Sequence, residues 1–274
     1  MKKIILITGS ELRHKYFRKF ISIQNGINVI ASFCESKKGS IEQIVKDQDF
    51  NDLRTEHLSN RLSSEMEFFS EFCDVTLDES NPFFIEKGEI NNHEIVDKIV
   101  ALDPEVIISY GCSIIRSSIL LERFHKKFIN IHLGLSPYYR GSGTNFWPFV
   151  NNELQFVGTT FMFIDKGIDT GEIIHQIRAD FDNDDSIHSV GNKLLLKTFK
   201  VCYEIIVNFS SIKTPSIYSN IGNLNFSNRY YKKSDFSEIA VTKAYQNIEK
   251  AVIKNYIDNT KVLYPIVENP IIKN

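Results

Sequence analysis

Lys3–Phe33, KIILITGSELRHKYFRKFISIQNGINVIASF, carries the reading of the fold. Lys3–Thr8 is continuously apolar after its lysine, as a strand buried on both faces must be. Gly9-Ser10 supplies a turn, and Leu12, Tyr16, Phe17, Phe20 and Ile21 then recur at helical spacing within Glu11–Ile23. Asn28–Phe33 is a second apolar run. Strand, helix and buried strand predict an α/β domain built on a mainly parallel sheet. The same alternation resumes downstream, with a helix over Asn92–Leu102, a strand at Glu105–Tyr110 and a turn at Gly111. A helix near Ser117–His125 and a strand at Lys127–His132 follow. Beyond a polar loop come a helix over Thr144–Asn151, extended runs at Phe156–Ile164 and Glu172–Phe181, and a long helix capped near Asp184–Ser186 and ending near Phe209.

Two segments depart from this pattern. Residues 35–90 hold 14 acidic and six basic side chains, and they predict a solvated helical insertion with a helical patch at Glu65–Phe72 and a loose stretch near Pro82. The last 62 residues are basic by +4, against −6 for the rest. They are expected to form a small C-terminal element over residues 213–274, with a Ser/Asn-rich linker (Ser216–Asn228) and one helix over Glu238–Tyr256. The remaining residues, 1–212, would be the catalytic domain.

A chain of 274 residues with 42% hydrophobic and 24% charged side chains has a globular composition. No apolar run approaches the ~18 residues of a membrane span. Two lysines and four apolar residues at the N-terminus are too few for a signal peptide, so a cytoplasmic protein is expected. The net charge of −2 argues against a nucleic-acid partner, whose phosphates call for a basic face. Cys34, Cys73, Cys112 and Cys202 are scattered without a C-x-x-C pair, so reduced core thiols are expected and no metal site.

Chemistry concentrates between Phe128 and Glu172. Asn130 and His132, two apart on a strand, project to one face at the C-terminal end of a buried strand, where open α/β sheets hold ligands. A loop of Ser, Pro, Tyr, Arg and Gly follows. Asp169 sits in a second loop, D-K-G-I-D-T-G (Asp165–Gly171). An amide, an imidazole and a carboxylate on converging loops suit acyl transfer: the amide steadies a developing oxyanion, the imidazole handles a proton and the carboxylate fixes its tautomer. G-x-S-x-G is absent, which favours direct attack by an amine over a covalent enzyme intermediate. A lone Asn-x-His also suits a satisfied interior pair.

The combination of N-x-H, S-P-x-x-R-G (all within Asn130–Gly141), an aromatic helix start, G-T-T and D-x-G-x-D-T-G resembles the catalytic core of the formyltransferase family. The resemblance implies a Rossmann-like, mainly parallel α/β catalytic domain that takes a formyl group from 10-formyltetrahydrofolate. It implies that Asn130, His132 and Asp169 are the catalytic triad. Ser109, Tyr110 and Gly111, with Asp165, Lys166 and Gly167, match segments that line the folate pocket. Ser136, Tyr138 and Arg140 are expected near the acceptor, Arg140 either to hold a phosphate bidentately or to tie the loop down through carbonyls, and Trp147 is expected to pack at a helix start. One departure is H-L-G-L-S-P in place of the commoner H-x-S-L-L-P, so that Gly134 lacks a hydroxyl and Ser136 supplies one two positions later.

Length and charge separate the family's acceptors. The acidic insertion and 62-residue tail exceed a bare glycinamide ribonucleotide enzyme, and a tail of +4 is too small and too weakly basic for the barrel and channel of a methionyl-tRNA enzyme. Y-Y-R-G-S-G-T-N-F-W-P and T-G-S-E-L-R-H-K-Y-F look most like the nucleotide-sugar N-formyltransferase branch. The resemblance thus implies a nucleotide-linked amino sugar, of the 4-amino-4,6-dideoxy class, as the partner, serving surface glycan (lipopolysaccharide or O-antigen) synthesis. It also implies a homodimer. Readings from other classes are a catalytically silent folate- or nucleotide-binding protein and an RNA-binding relative.

Overall fold

The computed structural model describes residues 1–36, 38, 43, 53–213, 229–259 and 264–273. Among them are the strands β1 (Lys2–Thr8), β2 (Ile27–Glu35), β3 (Pro82–Ile85), β4 (Val106–Tyr110), β5 (Phe128–His132), β6 (Tyr139–Gly141), β7 (Gly158–Phe163), β8 (Ile173–Arg178) and β9 (Arg229–Tyr231). The helices are α1 (Leu12–Ser22), α2 (Leu53–Val75), α3 (His93–Leu102), α4 (Ser118–Arg123), α5 (Trp147–Asn151), α6 (Ile187–Val207), α7 (Glu238–Glu249) and α8 (Val252–Asp258).

Seven strands make one sheet in the order β3-β2-β1-β4-β5-β7-β8. The first five are parallel, and β7 and β8 join antiparallel. This is the mainly parallel α/β sheet that the apolar runs predict. Both of its faces are covered. Ile4 and Leu6 of β1 belong to one core with Phe17 of α1, Phe69 of α2 and Phe199 of α6, while Ile5 and Ile7 belong to the other with Val96 and Ile99 of α3 and Leu120 of α4. Alternate β1 residues feed opposite layers, which is why the run has no polar face.

The acidic insertion is more than a solvated flap. Helix α2 buries Leu58, Phe69 and Cys73 against the body, and the Tyr16 and Phe69 rings stand 5.1 Å apart. The stretch around Pro82, expected to be loose, is β3, an edge strand that tolerates proline at its first residue because an edge position can forgo an N–H. Truncating Phe69 to alanine is expected to cost about 3–5 kcal/mol of stability, read as a fall in denaturation midpoint; a peripheral flap would unfold unchanged.

The tail also differs from expectation. The helix predicted over Glu238–Tyr256 is two helices, because Ala251 adopts a left-handed backbone (φ +56°) that ends the first and caps the second. Ala240, Ala244, Val252 and Ile253 join the main core. Residues 264–269 seal the β8 edge, with Gln176 N–H donating to Val267 O at 2.7 Å, and β9 pairs in parallel with β6. The linker expected at Ser216–Asn228 lies outside the described residues. Helix α5 starts at Trp147 rather than Thr144, with proline in its first turn. Cys34, Cys73 and Cys202 are buried thiols and Cys112 is half-buried; none is in a disulfide. Among the described residues no helix is long and apolar enough to cross a membrane.

Candidate active site

Between β1 and β4 the chain order reverses, the place where a parallel sheet parts its connections and opens a crevice at the strands' C-terminal ends. A cleft of about 740 Å³ occupies it, walled by Gly9 after β1, Ser109–Gly111 at the end of β4, and Asn130 and His132 on β5. The loop Ile164–Gly171 brings Asp169 to the same wall.

Asn130, His132 and Asp169, the residues expected to form a triad, converge on this wall. Ser109 donates its hydroxyl to Asn130 Oδ1 at 3.0 Å, which turns the other end of the amide into the available donor. His132 is buried, and its Nε2–H donates to the Tyr139 carbonyl at 3.0 Å, since a carbonyl only accepts. Its Nδ1 stands 3.2 Å from Asp169 Oδ1. Both ring nitrogens thus face acceptors, the Tyr139 carbonyl at Nε2 and the Asp169 carboxylate at Nδ1, so Asp169 does not set the tautomer alone. Asp169 Oδ2 accepts from Gly141 N–H at 2.9 Å. Asp169 itself is held at φ +52°, a left-handed conformation that Asp and Asn tolerate better than most residues.

Gly134, which lacks the hydroxyl of the H-x-S-L-L-P pattern, has no room for one. A Cβ there would stand 2.6 Å from Thr144 and 2.8 Å from His132 Nε2. The Ser136 hydroxyl does not replace it: Ser136 is buried outside the cleft wall and donates to the Asp169 carbonyl at 3.4 Å, while its own carbonyl accepts from Gln176. Tyr138, also expected near the acceptor, is buried with its hydroxyl donating to Pro265 O at 2.6 Å. Arg140 lies in β6 opposite Tyr230 and is not on the cleft wall. Of the segments matched to a folate pocket, Ser109, Tyr110, Gly111, Asp165 and Gly167 line the cleft, and Lys166 points to solvent outside it. Trp147 packs, as expected, stacked on Tyr231 at 4.0 Å with its Nε1–H on Ser142 O.

Several wall residues were not foreseen. Arg13 bridges Glu11 at 2.9 Å and Glu65 at 2.6 Å, tying α1 to the insertion helix. Burial opposes the Glu11 charge, but Arg13 and His14 outweigh it and hold the carboxyl well below the usual carboxylate range. His14 fills the space over two glycines: a Cβ on Gly111 (φ +67°) would come 2.2 Å from its Nε2. The tail adds Tyr230, Tyr231, Lys232, Lys233 and Phe236 to the wall. A basic composition signalled that the tail differs; nothing local signalled where it docks.

His57 of α2 and His188 of α6 meet at a ring separation of 4.6 Å. Burial lowers His57 to about 4, and burial, then His57 and Arg61, lower His188 to about 3, from an ordinary 6.5. Both folded values are depressed, so the unfolded chain takes up protons first as pH falls. Their contribution is whole above about pH 6.5 and drains below it, by about 2 kcal/mol for each ring at pH 5. Melting temperature is expected to fall between pH 6.5 and 5, and less steeply in His57→Phe.

The comparisons agree with this architecture. Residues 2–206 match the Formyl transferase family model. A methionyl-tRNA formyltransferase of Desulforamulus reducens is 32% identical over 136 residues, covering 50% of this chain and 43% of that protein. The chain spans about half the length of the curated relatives it matches. A sugar N-formyltransferase from a Shewanella species shares the fold with a TM-score of 0.56 at 16% identity, over 88% of this chain and 87% of that one. The phosphoribosylglycinamide formyltransferase of Streptococcus pneumoniae aligns with a TM-score of 0.52 at 17% identity, over 77% of this chain and 99% of that one. With three quarters of its length matched by one family model and the sheet, switch point and convergent triad in place, the chain belongs to the formyl transferase family.

Proposed function

We propose that this protein transfers a formyl group from 10-formyltetrahydrofolate to the amine of a nucleotide-linked amino sugar, by direct attack of that amine. The observation that carries the reaction is the gathering of the Asn130 amide with the His132 Nδ1–Asp169 Oδ1 edge, at 3.2 Å, on one cleft wall. The cleft's residues fit a reduced folate. Ile114 and Ile168, 47% and 38% exposed, are large apolar side chains left open on its wall, suited to a flat ring. Backbone groups of Ser109–Gly111, Asp165 and Gly167 offer polar partners beside them.

Bound there, the folate supplies an activated formyl group. Asn130 donates to the formyl oxygen as negative charge grows on it. The amine forms its bond to the formyl carbon while the bond to the folate nitrogen breaks, and one proton must pass from the first nitrogen to the second. The His132–Asp169 edge is placed to hold that proton in transit. The amine must be neutral to attack, so turnover should fall at acidic pH.

An amino-sugar nucleotide as acceptor is supported by the tail's contribution to the wall and by charge. Among the described residues, six cationic and four acidic side chains line the cleft, a net of +2 in a chain of formal charge −2. The Shewanella enzyme, whose likeness extends over more of this chain than that of the Streptococcus pneumoniae enzyme, is named a sugar N-formyltransferase. The curated relatives favour charged methionyl-tRNA as the competing acceptor. Tetrahydrofolate release should therefore be measured with a panel of nucleotide-linked amino sugars, glycinamide ribonucleotide and methionyl-tRNA. Turnover on a 4-amino-4,6-dideoxy sugar nucleotide is the expected result; turnover on methionyl-tRNA alone would overturn the sugar assignment, and silence with bound folate would favour a binding protein.

A further inference from the structure

One lobe of the cleft has no part in the triad. Four segments far apart in sequence close it: the insertion helix (His57, Arg61), the start of α6 (His188), the loop before α5 (Phe146) and the tail (Lys233, Phe236). Four rings pack together around His57, which lies 5.2 Å from Phe146, 5.8 Å from Phe236 and 4.6 Å from His188, with Phe146 and Phe236 5.4 Å apart. Inside this apolar setting, His188 is only 9% exposed, and its Nε2 is buried with no hydrogen-bond partner among the described residues. A buried imidazole nitrogen left unpaired costs free energy unless a ligand completes it.

The charges around it say what that ligand is. The cleft's carboxylates are already engaged: Glu11 and Glu65 by Arg13, Asp169 by His132 and the Gly141 N–H, Asp165 by Thr170 and the Gly167 N–H. Among the described residues the cations outnumber them. Arg61, besides lying 3.5 Å from Glu65 through Nε, stands close enough to His188 to disfavour a proton there, and burial, then Arg13, pull its own value down to about 10. An anion entering the lobe relieves both groups at once.

We propose that this lobe is a nucleoside-diphosphate subsite, in which Arg61 and His188 Nε2 hold the phosphates and the cleft-facing surface of the Phe146–Phe236–His57 cluster stacks on the base. Guanidinium and imidazole donors suit phosphate oxygens, and stacked or edge-on rings suit a base of any identity. The subsite deepens the nucleotide-linked acceptor reading and rests on it. It would fix the acceptor by its nucleotide, leaving the sugar's amine free to reach the triad.

The test is calorimetric titration of the full chain with UDP, dTDP, uridine and pyrophosphate. A nucleoside diphosphate should bind more tightly than either uridine or pyrophosphate. Arg61→Met and His188→Leu should each weaken that binding tenfold or more, whereas His188→Gln, which keeps an N–H near the Nε2 position, should recover most of it. Melting curves of each variant show whether it is folded. Binding that is unchanged in folded Arg61→Met and His188→Leu overturns the subsite and leaves the nucleotide reading standing. No binding of any nucleoside diphosphate to the unsubstituted protein at millimolar concentration overturns both.

Discussion

Asn130→Ala is expected to lower the turnover number by a factor of about 10²–10³, the cost of removing one donor aimed at a developing oxyanion. The KM for 10-formyltetrahydrofolate should change little, because the lost bond strengthens only as the formyl oxygen gains charge. Asn130 sits at the cleft with Oδ1 taken by Ser109, so its orientation does not depend on substrate. Asn130→Asp sharpens the test. It keeps the shape and the Ser109 hydrogen bond but puts an acceptor where a donor is needed, and it should be at least as inactive as the alanine variant. Steady-state release of tetrahydrofolate measures both. Retention of more than a tenth of the activity in Asn130→Ala would show that another group meets the oxyanion.

Gly141→Ala should be nearly as damaging, although residue 141 bears no functional side chain. Its φ is +93°, and an added Cβ would lie 2.1 Å from the Tyr231 carbonyl on the neighbouring tail strand. The Gly141 N–H also holds Asp169 Oδ2, so separating β6 from β9 slackens the carboxylate that faces His132. A hundredfold loss of turnover is expected, together with a stability loss of at least the 1–3 kcal/mol that a forced positive φ costs. Gly26→Ala is the control. Gly26 has φ +84° with nothing within 4 Å of the added carbon, so it should lose stability alone and keep its activity. Equal activity in the two variants would mean that the β6–β9 contact does not position Asp169.

The legible parts of this molecule were those where residue type and spacing suffice. Runs such as Lys3–Thr8 and Val106–Tyr110 have no polar face, and burial on both sides is what forces that pattern, so the parallel sheet follows from them. Asn130 and His132 share a strand face by the two-residue period of the strand, and the glycines flanking Asp169 marked a loop of unusual geometry. The acceptor residues were misjudged for a common reason. Ser136 and Tyr138 were expected to face a ligand because they are polar and lie beside the triad, but chain proximity does not say which way a loop side chain turns. In the fold their hydroxyls are spent on the Asp169 and Pro265 carbonyls.

The sequence by itself determined the sheet and the family, and it singled out Asn130, His132 and Asp169 as candidates, because periodicity and fixed local spacing are properties of the chain alone. Only the tertiary structure decided what surrounds the triad. The tautomer of His132 depends on a backbone carbonyl, the Asp169 carboxylate depends on a backbone N–H, and neither has a residue signature. The far wall depends on an acidic insertion and a basic tail docking on the same cleft from opposite parts of the chain. Those contacts join residues from 52 positions apart (Arg13 and Glu65) to 179 (His57 and Phe236), where local patterning carries no information about the partner.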